Sequence, residues 1–133
     1  NTGAVTTMYQ MFYNCYSLQS VPLFNTCAVT NMQQMFFGCY SLQSVPLFNT
    51  CAVTNMQQMF YGCSALTESK MAGTKVGISY VNCLLNTTSI DEIFVNLADL
   101  TGVSTQTITV TSNIGASTCD TSIATIKNWT VII

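Results

Sequence analysis

Apolar and polar positions in the first half of the chain recur with a period of 24 residues. Residues 1–24 read NTGAVTTMYQMFYNCYSLQSVPLF and residues 25–48 read NTCAVTNMQQMFFGCYSLQSVPLF. Residues 49–63 read NTCAVTNMQQMFYGC, after which the pattern decays into SALTESKMA. The second and third copies differ at one position over those fifteen residues, Phe37 against Tyr61. Within each copy the apolar positions change period. One half carries Leu18-x-x-Val21-x-Leu23 and Leu42-x-x-Val45-x-Leu47, with a weakened Leu66-x-x-Ser69-x-Met71 in the third copy. This pattern predicts a short strand whose three apolar side chains point inward. Gln19, Pro22 and Phe24, and Gln43, Pro46 and Phe48, are then expected on the outer face. The other half places Val29, Met32, Phe36 and Cys39 at spacings of three, four and three, and Val53, Met56, Phe60 and Cys63 likewise. That stripe predicts a short helix, capped by Thr30 or Asn31 and ended at Gly38 or Gly62. Pro22 and Pro46 donate no ladder hydrogen bond, so the strands should be short and irregular.

Beyond the repeat the alternation of elements continues without the period. Ile78–Cys83 reads as a strand. Ser89-x-x-Glu92 reads as a capping box opening a helix to about Leu97. Thr107–Thr111 alternates as a strand does, Asp120 is placed to cap a second helix running to Lys127, and Trp129–Ile133 reads as a last strand. Repeats of this length bury their apolar side by stacking on neighbours, and a terminal unit is atypical and more polar. The expected organisation is therefore repeats over residues 1–71 and a divergent cap of the same stack over 72–133. The absence of a comparable cap before Asn1 leads to the expectation of further repeats upstream.

Composition narrows the function. The chain has three basic and five acidic residues and a net charge of −2, and no charge precedes Glu68. A phosphate-tracking surface needs clustered Lys and Arg, so nucleic acid is not an expected partner. No apolar run reaches the length of a membrane span, so membrane insertion is not expected. Charge normally keeps a free surface dispersed. An uncharged surface of Asn, Gln, Thr, Ser and Tyr points either to lateral contacts and polar partners or to a recent duplication.

Two sets of residues recur in register. Cys15, Cys39 and Cys63 form one cysteine series and Cys27 and Cys51 another. Buried thiols acting as small apolar residues are the favoured reading; a disulfide between Cys27 and Cys51 is the alternative, within the separation that stacked strands allow. The lack of His and of a C-x-x-C pair disfavours a metal site. Tyr13, Phe37 and Tyr61 lie one residue off the apolar stripe, and Tyr16 and Tyr40 form a shorter row. Together with Gln19 and Gln43 they are the candidate exposed binding surface, suited to stacking on a sugar or to a protein contact. Their alternative role is to cover the edges of the repeats. The paired methionines Met32/Met35 and Met56/Met59 read as core, and the Asn25/Asn49 and Asn31/Asn55 series as partners of turn backbone. Catalysis is not expected: Asp91 and Glu92 face different directions from a helix's first turn, and no catalytic motif is present.

The segments TNMQQMFFGCYSLQSVPLF and TNMQQMFYGCSAL resemble BspA-like leucine-rich repeats, with their T-N-M-x-x-M-F-x-x-C-x-x-L pattern. The resemblance covers residues 1 to about 71. It implies an α/β solenoid, a right-handed coil of short parallel strands and short helices, in a protein that adheres or recognises without catalysis or cofactor. Where usual members carry a Leu-Asp-Leu strand, this chain has Val-Pro-Leu-Phe. The tail from ISYVNC to NWTVII is similar to caps that follow such repeats in phage-encoded virion proteins. It implies a virion surface appendage (a tail fibre, tail tip or capsid-surface protein) that contacts a host-surface glycan or protein and the other subunits of an assembly. A bacterial cell-surface adhesin is the alternative. Either setting is extracellular.

Overall fold

A computed structural model describes residues 2–133. Its regular elements are short and its strands pair in parallel. Strand β1 (Ser44–Val45) pairs with β2 (Glu68–Ser69), which places residues 24 apart side by side. A second sheet is formed by β3 (Ile78–Ser79), β4 (Gln106–Thr109) and β5 (Trp129–Ile132) in that order. Helix α1 (Thr87–Asn96) connects β3 to β4, and α2 (Ser122–Thr125) connects β4 to β5.

The strand half of the repeat is limited by its prolines. Lys70 donates its backbone N–H to the Val45 carbonyl at 3.0 Å. The equivalent position one copy earlier is Pro46, which has no N–H to give to Val21. The bond that would continue the pairing of the first two copies is therefore missing, whereas β1 and β2 pair over two residues. The chain then turns tightly, with the Phe48 N–H donating to the Pro46 carbonyl at 2.7 Å. This turn reverses the alternation expected from sequence. Leu23 and Leu47 are 67% and 57% exposed, not inward, whereas Phe48 is fully buried and Phe24 packs against the core beside it. Leu42, Val45, Leu66, Ser69 and Met71 are buried, as the inward frame predicts.

The other half of each repeat is not a helix. It is a ribbon of consecutive tight turns. In the first copy the N–H groups of Met11, Tyr13 and Cys15 donate to Met8, Gln10 and Phe12, three residues back. Gln10 and Asn14 take φ of 54° and 56°, and their equivalents Gln34 (55°), Gly38 (71°), Gln58 (55°) and Gly62 (80°) do the same. A turn with positive φ at its third residue cannot propagate an α-helix. Gly38 and Gly62 thus serve the turns rather than ending a helix. The alternate N–H groups leave the ribbon sideways. Met8, Gln10, Phe12 and Asn14 donate to the carbonyls of Asn31, Gln33, Met35 and Phe37 at 2.7–3.1 Å. Met32, Gln34, Phe36 and Gly38 donate in the same way to Asn55, Gln57, Met59 and Tyr61 at 2.8–3.1 Å. The spacing of three and four is real, but turns stacked in register bury the same residues that a helix would. Asn31 and Asn55 do not cap helices; their side-chain oxygens accept from Gln33 and Gln57 N–H two residues on. Asn25 and Asn49 serve Cys27 and Cys51 likewise, as expected of turn asparagines.

One apolar core runs through all of these layers. Met32, Met35, Met56 and Met59 are buried in it. Its axis is a column of stacked rings, Phe12–Phe36–Phe60–Tyr80, with centroids 5.5, 5.9 and 4.9 Å apart. The Tyr80 hydroxyl is buried but hydrogen-bonded to Ser69 Oγ at 3.0 Å. In the C-terminal part α1 is capped by Asn86, whose side chain accepts from Ser89 N–H; the expected Ser89–Glu92 box is not used. Helix α1 buries Ile90, Ile93 and Phe94. Lys127 Nζ donates to the carbonyls of Phe94 and Leu97 at 3.2 and 3.1 Å, complementing the helix's C-terminal end. Helix α2 is one turn long, with Asp120 Oδ1 accepting from Ser122 N–H at its start. The predicted strands at 78–83, 107–111 and 129–133 are present in shortened form.

Candidate functional site

The turn ribbons place three rows of side chains in register. Tyr13, Phe37 and Tyr61 stack at 4.9 and 4.8 Å with rings within 14° of parallel. Tyr16 and Tyr40 stack at 5.4 Å. Tyr13, Tyr16, Tyr40 and Tyr61 are exposed, and Phe37 is half-buried between its neighbours. Beside them Gln10, Gln34 and Gln58 form an amide row: each Nε2 donates to the next Oε1, at 2.8 and 2.7 Å. Gln19 and Gln43 are exposed as expected, but on the strand half, where Gln43 N–H donates to the Gln19 carbonyl. The candidate residues therefore fall into two groups, the aromatic rows on the ribbons and the glutamines on the strand half.

The cysteines divide. Cys39 and Cys63 are buried, each with its Sγ donating to a ribbon carbonyl, Phe12 at 3.0 Å and Phe36 at 3.2 Å. Cys83 continues the column, and Cys15 at its other end is half-buried. Burial pushes the Cys39 thiol up to about 11 and Cys83 up to about 12, and raises Cys63 as well. These thiols are apolar filling. Cys27 and Cys51 are exposed free thiols instead, so the buried-thiol reading fails for that row. The physical reason is their place in the Asn-closed turn, which projects the side chain off the core.

A cleft of about 670 Å³ opens where the repeats meet the C-terminal part. One wall is the third ribbon, with Met56, Gln58, Phe60 and Gly62, together with Tyr40 and Tyr61; the other is β3 and β4, with Ser79 and Thr107. No lining residue is charged. Its origin is a change of chain length. Thr50 and Thr74 are equivalent, their hydroxyls 2.9 Å apart, and Phe60 stacks on Tyr80. Ten residues separate the first member of each pair, but only six the second. The fourth layer is thus four residues too short to form a ribbon, and crosses directly as β3. No apolar periodicity or motif in the sequence marks this cleft. Its signal was the shortened distance from Thr74 to Tyr80, visible only once these residues are aligned with Thr50 and Phe60.

Among the described residues no helix is long and apolar enough to cross a membrane. Among the described residues no group of three or more His, Cys, Asp or Glu side chains converges as a metal site would require. No curated protein and no solved structure matches the chain. One family model does, and it matches residues 1–82. It covers all three repeats and the crossing into β3. The match agrees with the likeness to BspA-like surface repeats; the likeness of the tail to virion caps finds no support in these comparisons. On the strength of that match over more than half its length, the chain belongs to the family described as Mycoplasma protein of unknown function, DUF285.

Proposed function

We propose that the chain is a non-catalytic recognition and scaffolding module of a surface-displayed repeat protein. In this reading its layers form a leucine-rich-repeat-like solenoid, repeats over 1–71 and a cap over 72–133, that acts without cofactor or metal. The observation that carries it is the exposed pair of aromatic rows on a face without charge, Tyr13–Phe37–Tyr61 and Tyr16–Tyr40. Stacked rings held by turn backbone are rigid and amphipathic, and they lose little entropy when a partner covers them. The partners are host-surface glycans or proteins and neighbouring subunits of an assembly, outside the cell.

Two settings fit. The similarity of the tail to virion caps favours a phage appendage, and the family favours a bacterial surface protein. The whole open reading frame separates them: a secretion signal with a surface anchor contradicts the first, and an adjoining tail or capsid domain contradicts the second. The recognition role is tested on a glycan and protein array with the wild-type chain and a Tyr13→Ala, Phe37→Ala, Tyr61→Ala variant. The expected result is at least a tenfold loss of binding at unchanged circular dichroism. Undiminished binding by the folded variant rejects the aromatic face as the site.

A further inference from the structure

The cleft between the third ribbon and β3 is the imprint of a missing stretch of backbone. In the first two copies the alternate N–H groups of the ribbon are all taken by carbonyls of the next layer. The equivalent N–H groups of the third, on Met56, Gln58, Phe60 and Gly62, have no acceptor among the described residues, and all four residues line the cleft. Four aligned donors left by the same shortening of chain make an edge ready for pairing. The aromatic rows end there too. The Tyr61 ring has no ring stacked on its outer side, and Tyr40 has Ser64 where a third tyrosine would lie.

We propose that the cleft binds an uncharged polypeptide segment that adds to the third ribbon as a fourth. Its alternate carbonyls would accept from Met56, Gln58, Phe60 and Gly62, and an aromatic side chain would stack on Tyr61. The molecule itself supplies the precedent, because the partner of each such donor row is the carbonyl row of a turn ribbon at 2.7–3.1 Å. This is edge addition, in which backbone hydrogen bonds give affinity and side-chain contacts give selectivity. The uncharged lining argues for an uncharged segment, since a charge brought into the cleft would be desolvated without a counter-charge. Hydroxyls of a saccharide could accept from single donors, but nothing in a sugar chain repeats with the two-residue spacing of this row. A repeat of the family's own sequence has that spacing and the rings to continue the stack. The inference deepens the recognition role proposed above and rests on it, by naming one partner class and its place.

The test is titration of ¹⁵N-labelled full chain with a synthetic peptide of residues 54–63 carrying Cys63→Ser. The expected result is saturable shifts centred on the amides of Met56, Gln58, Phe60 and Gly62. Affinity should fall at least tenfold in Ser79→Trp, which fills the cleft from an exposed position on β3 and whose own spectrum reports whether it is folded. It should fall likewise for the peptide carrying Tyr61→Ala, and stay within twofold in the Ile126→Ala chain, whose side chain is exposed outside the cleft lining. Silence of the four amides at millimolar peptide, or equal binding by folded Ser79→Trp, overturns the proposal. Maltotetraose shifting those amides where the peptide does not also overturns it, in favour of a sugar site. Loss of array binding in the aromatic triple variant together with silent cleft amides would leave the recognition role standing and this site rejected.

Discussion

At the scale of single residues the unusual feature is glutamine in a left-handed conformation. Gln10, Gln34 and Gln58 all have φ near 55°, a region that costs an L-residue roughly 1–2 kcal/mol and is far more often filled by Gly or Asn. The amide row offsets this cost, since Gln34 both donates to Gln58 and accepts from Gln10. Two predictions of different magnitude within one site follow. Gln34→Ala keeps the strain and loses both side-chain bonds, each worth about 1 kcal/mol. Gln34→Gly loses the same bonds but relieves the strain. Chemical denaturation should therefore find Gln34→Gly more stable than Gln34→Ala by about 1 kcal/mol; the reverse order would show that the turn conformation is wrongly assigned. The same logic explains the alternation of Asn14, Gly38 and Gly62 at one position, where only residues tolerant of positive φ occur.

At the scale of elements, burial was more legible in the sequence than conformation. The stripe Val29, Met32, Phe36, Cys39 correctly marked the core, because both a helix and a ribbon of turns bring residues three and four apart to one side. Nothing in that spacing separates the two; the separating sign was a Gln or Gly at fixed positions needing φ > 0. Pro46 correctly marked a broken strand, but its consequence, the turn that swaps Leu47 for Phe48, depends on a bond between residues two apart that apolar periodicity does not encode. The C-terminal elements were legible in place and order because their alternation is local, but not in cap or length: Asn86 rather than Ser89 caps α1, and α2 is only Ser122–Thr125. The thiol column running through these layers makes a prediction at this scale. Cys39 and Cys83 have thiols raised by desolvation from an ordinary value of 9.0 to about 11 and about 12, and Cys63 and the buried Tyr80 are raised too. The unfolded chain therefore loses these protons first as the pH rises, and the folded state loses stability relative to it. Their contribution is fully present below about pH 9 and is lost as the pH climbs toward about 11 to 12. Thermal unfolding should show a falling Tm over that window, with a shallower fall in a Cys39→Ala, Cys83→Ala variant. An equal fall in that variant would mean that the thiols are not buried as described.

At the scale of the whole molecule the structure is a register. Backbone, amide, thiol and ring each repeat at 24 residues, and each finds its partner in an adjacent layer. The aromatic candidates were readable from the sequence because they are part of that register. The cleft was not, because it arises where the register is broken, four residues short between Thr74 and Tyr80. Both the proposed recognition surface and the open donor row depend on one claim, that the repeats stack through turn ribbons whose alternate N–H groups point to the following layer. Amide hydrogen exchange measured residue by residue tests it most directly. The account predicts slow exchange at Met32, Gln34, Phe36 and Gly38, whose N–H groups are taken, and fast exchange at Met56, Gln58, Phe60 and Gly62, whose identical sequence leaves them open. Equal protection of the two sets, as helices in both copies would give, would contradict it.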